Sequence, residues 1–232
     1  MNRRTPTQAL AHAAGALVQA TDVAHVLAVV IEDAADLMRA DAIGLLVRGQ
    51  DDALEVLTAT SHRAHELELL QAQQAAGPCV DCFDTAAQVV ETTGPAIEAR
   101  WPSVGPQIVA AGYTAVHTFP MCWQDQTLGA MNVFHSGALP EDIDLAVVGQ
   151  AFADIATAVT VQGGQTQVDP FERVMAALAG RTLIEQAKGV LAYQEGIDMD
   201  QAYDRLRSMA DDETSLSNVA RRVIDRAVRS ER

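Results

Sequence analysis

The chain has 232 residues, 49% apolar and 20% charged, a globular balance that excludes a disordered or low-complexity protein. Sixteen Lys and Arg stand against 31 Asp and Glu, a formal charge of −15 that repels anionic membranes and offers nucleic acid no general attraction. The charge is uneven: residues 1–165 hold 6 basic and 19 acidic side chains, residues 166–232 hold 10 and 12, and five Arg fall within 216–232.

The start, Asn2-Arg3-Arg4 before an Ala-rich stretch, mimics an export signal, but His12, Gly15 and Gln19 interrupt its apolar part, so a cytoplasmic first helix is expected. No uncharged apolar run is long enough to span a membrane, and three cysteines make no secreted disulfide framework. Residues 7–38 have helical spacing, broken at Thr21-Asp22, with Val23, Val26, Leu27, Val30 and Ile31 on one face. Residues 42–47 and 54–60 form a β-type pair around a polar turn. Helical sequence continues to Gln74, and Gly77-Pro78 breaks it. A short strand is predicted at 88–91 and a short helix at 102–111, followed by a second hairpin, 115–122 and 128–135, and a helix from Pro140 to about Val161. This order predicts an α+β domain, one antiparallel sheet flanked by helices, over residues 1–162. No G-x-G-x-x-G, Walker A or H-E-x-x-H motif occurs. No Ser-His-Asp or paired-carboxylate arrangement is legible either, so an enzyme is not expected.

Residues 163–169, opening with Gly163-Gly164, read as a hinge, and 170–232 as an all-α three-helix bundle on a long helical stalk. The stalk runs from Pro170 to Gly196, and its apolar pattern changes phase. Phe171, Val174, Met175 and Leu178 make one stripe; beyond Gly180 the stripe becomes Leu183, Ile184, Ala187, Val190 and Leu191. Two faces imply two packing partners, and the first stripe is assigned to a homodimer contact, with the chain's own first domain as the rival partner. Asp198 and Gln201 predict a capping box for the next helix, and Thr214 or Ser215 a cap for the last.

Residues 181–223 closely resemble the ANTAR domain, through Ile184-Glu185-Gln186-Ala187-Lys188-Gly189-Val190-Leu191, Gly196, Ala202-Tyr203, Leu206-Arg207 and Leu216 with Val219-Ala220. The front resembles the GAF sensor domain that precedes ANTAR in many actinobacterial proteins, through residues 40–46, Gly77-Pro78-Cys79-Val80-Asp81-Cys82, Ala99-Arg100-Trp101-Pro102 and residues 129–134. The resemblance implies a signal-responsive regulator that binds tandem hairpins in nascent leader transcripts, stabilises an antiterminator form and acts as a homodimer. It implies RNA contacts from Arg181, Gln186, Lys188, Arg207, Asn218, Arg221 and Arg222. One departure is the linker Asp211-Asp212-Glu213-Thr214-Ser215, acidic where the family usually carries Arg or Lys. A protein–protein or redox-sensing regulator with a weakened RNA surface is the alternative.

Lys188 is the chain's sole lysine and shares a helix face with Arg181, beside the apolar stripe. Its readings are a cation presented to RNA or a solvated surface lysine. Cys79 and Cys82 read as structural thiols, a redox pair or, with two further ligands to find, a metal site; no metal site is assigned. Cys82, Trp101, His117, Phe119 and Met131 are candidates to line a pocket for a small-molecule ligand whose identity is unknown, with plain core packing as the other reading.

Overall fold

The computed structural model describes residues 8, 11–12, 15, 23–49, 53–162, 170–210 and 214–230. After helix α1 (Val23–Met38), strands β1 (Ala42–Arg48) and β2 (Leu54–Ala59) pair antiparallel. Helices α2 (His62–Gln74) and α3 (Pro78–Thr85), strand β3 (Val89–Glu91), and helices α4 (Gly94–Arg100) and α5 (Gly105–Ala110) form the crossover. Strands β4 (Ala115–Trp123) and β5 (Gln126–His135) complete a five-stranded antiparallel sheet in the order β2-β1-β5-β4-β3. Helix α6 (Leu145–Gln162) ends the domain.

The sheet is buried on both faces. Ile43, Leu45 and Val47 of β1 and Met131 and Val133 of β5 join a core with α1 and α6. Their alternates Ala42, Leu46, Ala130 and Phe134 join a second core with α2 to α5. This is the period-2 consequence of the pleat. Gly149 brings α6 against the ring of Phe119, which a Cβ there would strike.

Three sequence expectations need correction. Gly77-Pro78 does not break a helix: α2 has already ended at Ala75, in the left-handed region at φ 46°, and Gly77, at φ 127°, leads into Pro78, which is pre-set for a first turn and starts α3. Helix α4, capped by the Thr93 side chain 3.4 Å from the Ala96 N–H, escaped the reading because it is only seven residues long. And α6 begins at Leu145 rather than Pro140, because Asp144 Oδ1 caps the N–H groups of Ala146 and Val147 at 3.1 and 3.2 Å.

The C-terminal part is helical: α7 (Pro170–Glu195), α8 (Met199–Ser208) and α9 (Leu216–Ser230). The capping box of Asp198 and Gln201 is formed, and Ser215 Oγ caps the Asn218 N–H at 3.2 Å. The phase change in α7 divides it between two cores. Ile184, Ala187 and Leu191 close the bundle with Ala202, Leu206, Leu216 and Val219. Val174, Ala177 and Leu178 pack into the α1/α6 core of the sheet domain. The stripe assigned to a twin subunit is therefore covered within one chain: Val174 is 1% exposed and Leu178 5%, with Met175 partly buried beside them. The Phe171 side chain, the 163–169 hinge and residues 211–213 of the acidic linker lie outside the described residues. Among the described residues, no helix is long and apolar enough to cross a membrane.

Candidate functional site

The second half of α7 and the adjoining face of α8 meet the sheet domain along a polar seam. Arg181 Nη2 lies 3.0 Å from His65 Nε2 on α2. An arginine is always the donor, so His65 accepts through an unprotonated Nε2. Burial, with Arg181, Lys188 and His62 nearby and Glu185 opposing, holds this imidazole down at about 4, so it is neutral at physiological pH. Arg207 Nη2 reaches Glu32 Oε2 on α1 at 2.5 Å. Burial pushes that carboxyl up to about 7 despite the pull of Arg207, with Asp33, Asp204 and Asp36 adding to the rise. Asp200 Oδ1 accepts the His62 N–H at 2.6 Å, a carboxylate at the positive end of α2.

Lys188 is not beside the core but within the seam, 4% exposed. Its Nζ is 3.1 Å from both Glu185 carboxylate oxygens and 5.3 Å from the centre of the Tyr203 ring; the Arg207 guanidinium approaches the same ring at 5.8 Å. Leu57, Thr58 and Ala59 of β2 share a cavity of about 30 Å³ with Lys188, Arg181 and Tyr203. The spacing carried the signal for this burial, since Lys188 is four residues after Ile184 and three before Leu191. We expect Lys188→Ala to lower stability by about 1–3 kcal/mol through loss of the ion pair and the ring contact, seen as a lower Tm. An unchanged Tm would return Lys188 to the surface.

The other residues assigned to RNA are more open. Gln186, Asn218, Arg221 and Arg222 are exposed. Asn218 and Arg221 border a cleft of about 400 Å³ between α7, α9 and the start of α1, whereas Arg222, one residue further around α9, faces a different groove. Arg181, Lys188 and Arg207 are thus brought together and these four are not. Of the residues that meet those cations, Tyr203 was read only as part of the family resemblance, and Glu32 and His65 were given no RNA-related role, because on α1 and α2 they belong to no such motif.

The candidate sensor pocket does not assemble. Cys82 and Trp101 lie in the core under α2 to α5, while Phe119 and Met131, cross-strand partners, lie in the core under α1 and α6. His117 is paired with Val133 and projects to that second side, its ring 5.8 Å from His135. The backbone of the sheet separates the two groups, as alternation requires. Burial holds His117 down at about 4 and leaves its Nδ1 without a hydrogen-bond partner. Cys79 and Cys82 are free, buried and protonated: burial pushes the Cys82 thiol up to about 12 and Cys79 well above its usual value. Such thiols are poor nucleophiles at neutral pH, which counts against the redox reading. Among the described residues, no cluster of three or more His, Cys, Asp or Glu is placed to hold a metal ion.

Under α2, β1 and β5 lies a buried polar network instead. Glu68 Oε1 and Oε2 accept from Asn132 Nδ2 at 2.8 and 3.0 Å, Gln71 Nε2 donates to Glu68 Oε2 at 2.9 Å, and Gln71 Oε1 accepts the Cys79 N–H at 3.1 Å. Gly44 makes room for it, since a Cβ there would collide with the Glu68 side chain.

Residues 172–228 match the ANTAR domain. The sheet domain, for its part, has the GAF fold. It is similar to the GAF domain of the Acinetobacter phosphoenolpyruvate-protein phosphotransferase, at TM-score 0.53 and 9% identity over 70% of this chain and 97% of that one. It is also similar to the A. aeolicus nlh2 GAF domain in an inactive state, at TM-score 0.52 and 9% identity over 66% and 94%. The Neisseria meningitidis free methionine-R-sulfoxide reductase, solved with its substrate, matches at TM-score 0.51 and 13% identity over 74% and 91%. Identities this low speak to fold alone. No curated protein matches the sequence. The seam therefore joins a GAF-fold domain to an ANTAR bundle, and the cations it covers are ones the bundle was expected to offer to RNA.

Proposed function

We propose that this chain is a signal-gated RNA-binding regulator in which a GAF-fold sensor, residues 1–162, controls an ANTAR bundle, residues 170–232, through the 163–169 hinge. The ANTAR match supports RNA binding and, through it, stabilisation of an antiterminator hairpin in a nascent leader transcript. The observation that carries the gating is the seam: Arg181 and Arg207 are spent on His65 and Glu32, and Lys188 is buried. Phosphate binding needs such cations free to displace counterions, so this arrangement is the closed one. A signal received by the sensor, a small-molecule ligand on this reading, would shift the balance toward an open form. Opening would also free Val174, Met175 and Leu178 to meet a second copy, which is how a homodimer enters. The place of action is the cytoplasm, where nascent transcripts are.

The test is enrichment of a tandem-hairpin RNA pool with randomised loops by the full chain. Wild type should enrich it weakly. Glu32→Arg, which sets a second cation against Arg207, should bind the enriched pool about tenfold more tightly, equivalent to about 1.4 kcal/mol. Absence of enrichment by both proteins would overturn RNA binding; equal affinity would overturn the gate.

A further inference from the structure

We propose that the seam between the GAF-fold domain and the ANTAR bundle holds one small monovalent inorganic anion of halide size, and that this ion cements the docked arrangement. The inference rests on the cavity in the seam and stands whether or not the bundle binds RNA. That cavity encloses about 30 Å³ where α7 and α8 meet β2 and α2. It has room for one or two particles the size of water. A phosphate or an organic carboxylate is too large, so only a compact ion enters.

The lining is rich in hydrogen-bond donors. Arg181 and Lys188 come from α7, Tyr203 from α8, Thr58 from β2, and Ser61 from the N-cap of α2. Arg181 Nη2 donates to His65, but Arg181 Nε is shielded from solvent and has no acceptor. A buried guanidinium N–H without an acceptor costs free energy, and an anion supplies the missing partner as a charge-assisted bond.

Charge sets the sign of the occupant. Among the described lining residues two cations stand against one carboxylate, Glu185, and both oxygens of that carboxylate are engaged by Lys188 Nζ at 3.1 Å. Glu55, at an exposed position on β2, also acts on Arg181. The balance is positive all the same. Burial holds the Arg181 guanidinium below its usual value in spite of both carboxylates, and Arg181 and Lys188 help to hold the His65 imidazole down. Water answers the donors but not the surplus charge, whereas a monovalent anion answers both. Thr58, Ser61 and His65 belong to the sensor, and Arg181, Lys188 and Tyr203 to the bundle. The ion therefore binds the docked form alone and stabilises it by mass action.

The experiment melts the full chain while sodium chloride replaces sodium gluconate at constant ionic strength, gluconate being too large for the cavity. Beyond the dissociation constant, Tm should rise by about 3–6 °C for each tenfold increase in chloride. The chloride NMR line should broaden on addition of protein and narrow again when bromide competes. Arg181→Gln should lose both effects, whatever its own Tm in gluconate. Glu185→Gln removes the opposing carboxylate, and its half-saturating chloride concentration should fall about tenfold. Equal Tm in the two salts, with no broadening, would leave the cavity to water and overturn the proposal. A chloride dependence that survives in Arg181→Gln would put the ion elsewhere and overturn it equally, as would a half-saturation unmoved by Glu185→Gln.

Discussion

Val174→Glu combined with Leu178→Glu should detach the ANTAR bundle from the GAF-fold domain while leaving both folded. Each side chain is almost fully buried in the α1/α6 core, at 1% and 5% exposure. Loss of that burial costs about 1.5–3 kcal/mol apiece, and burial of two carboxylates without partners adds more, so the docked state should lose about 5 kcal/mol or more. The bundle keeps its own core of Ile184, Ala187, Leu191, Leu206 and Val219, none of which the mutations touch. Calorimetry should resolve two transitions where wild type shows one, and a protease should cut within 163–169. RNA affinity should rise as Arg181, Lys188 and Arg207 come free. The opposite of a pure dimer contact is thus expected, since charges in a twin-subunit stripe would weaken binding to two-hairpin RNA. One unshifted transition would show that the stripe does not hold the domains together.

The second large effect is on pH. Glu68 is fully buried, and burial pushes its carboxyl from 4.5 up to about 8, although hydrogen bonds from Asn132 and Cys79 pull it down. The folded state therefore holds a proton that the unfolded chain releases near 4.5. The resulting stability is fully present below that pH and is lost as pH rises through about 8. At about 1.4 kcal/mol per unit, the span is worth several kcal/mol. Glu68→Gln keeps the shape, cannot ionise and still meets Asn132 and Gln71. Its Tm should fall less than that of wild type between pH 5 and about 9, the gap widening up to about 8, because the other titrating groups move both profiles alike. Parallel profiles would mean that Glu68 does not govern the alkaline loss.

What RNA could touch was only partly legible in the sequence. Arg222 is exposed as its helical phase implies, yet its neighbour Arg221 serves a different cleft, because consecutive helical residues point 100° apart. Lys188 was read as a surface cation because its helical phase puts it on the face of Arg181, beside the apolar stripe. Its burial depends on Glu185 one turn back and Tyr203 on another helix, and only the first of these is local. The pocket residues failed as a group for a simpler reason. Phe119 and Cys82 are both apolar residues beside the sheet, but strand alternation sent one to each side.

By itself the sequence determined most of the local elements, though not the Thr93-capped α4 or the Asp144-capped start of α6. The hairpins, the 26-residue stalk with its phase change at Gly180, the Asp198–Gln201 box and the stripe of the last helix all follow from spacing and capping chemistry. It also determined that α7 must have two partners. Which partner takes the first stripe was left to tertiary structure, because an apolar face carries no label for what covers it. The same holds for the seam. The Glu32–Arg207 and His65–Arg181 contacts join residues 175 and 116 positions apart, and their meeting depends on how α1 and α2 lie against α7 and α8. Periodicity reports which face of a helix is buried; only packing decides against what, and here that choice sets which cations lie in the seam.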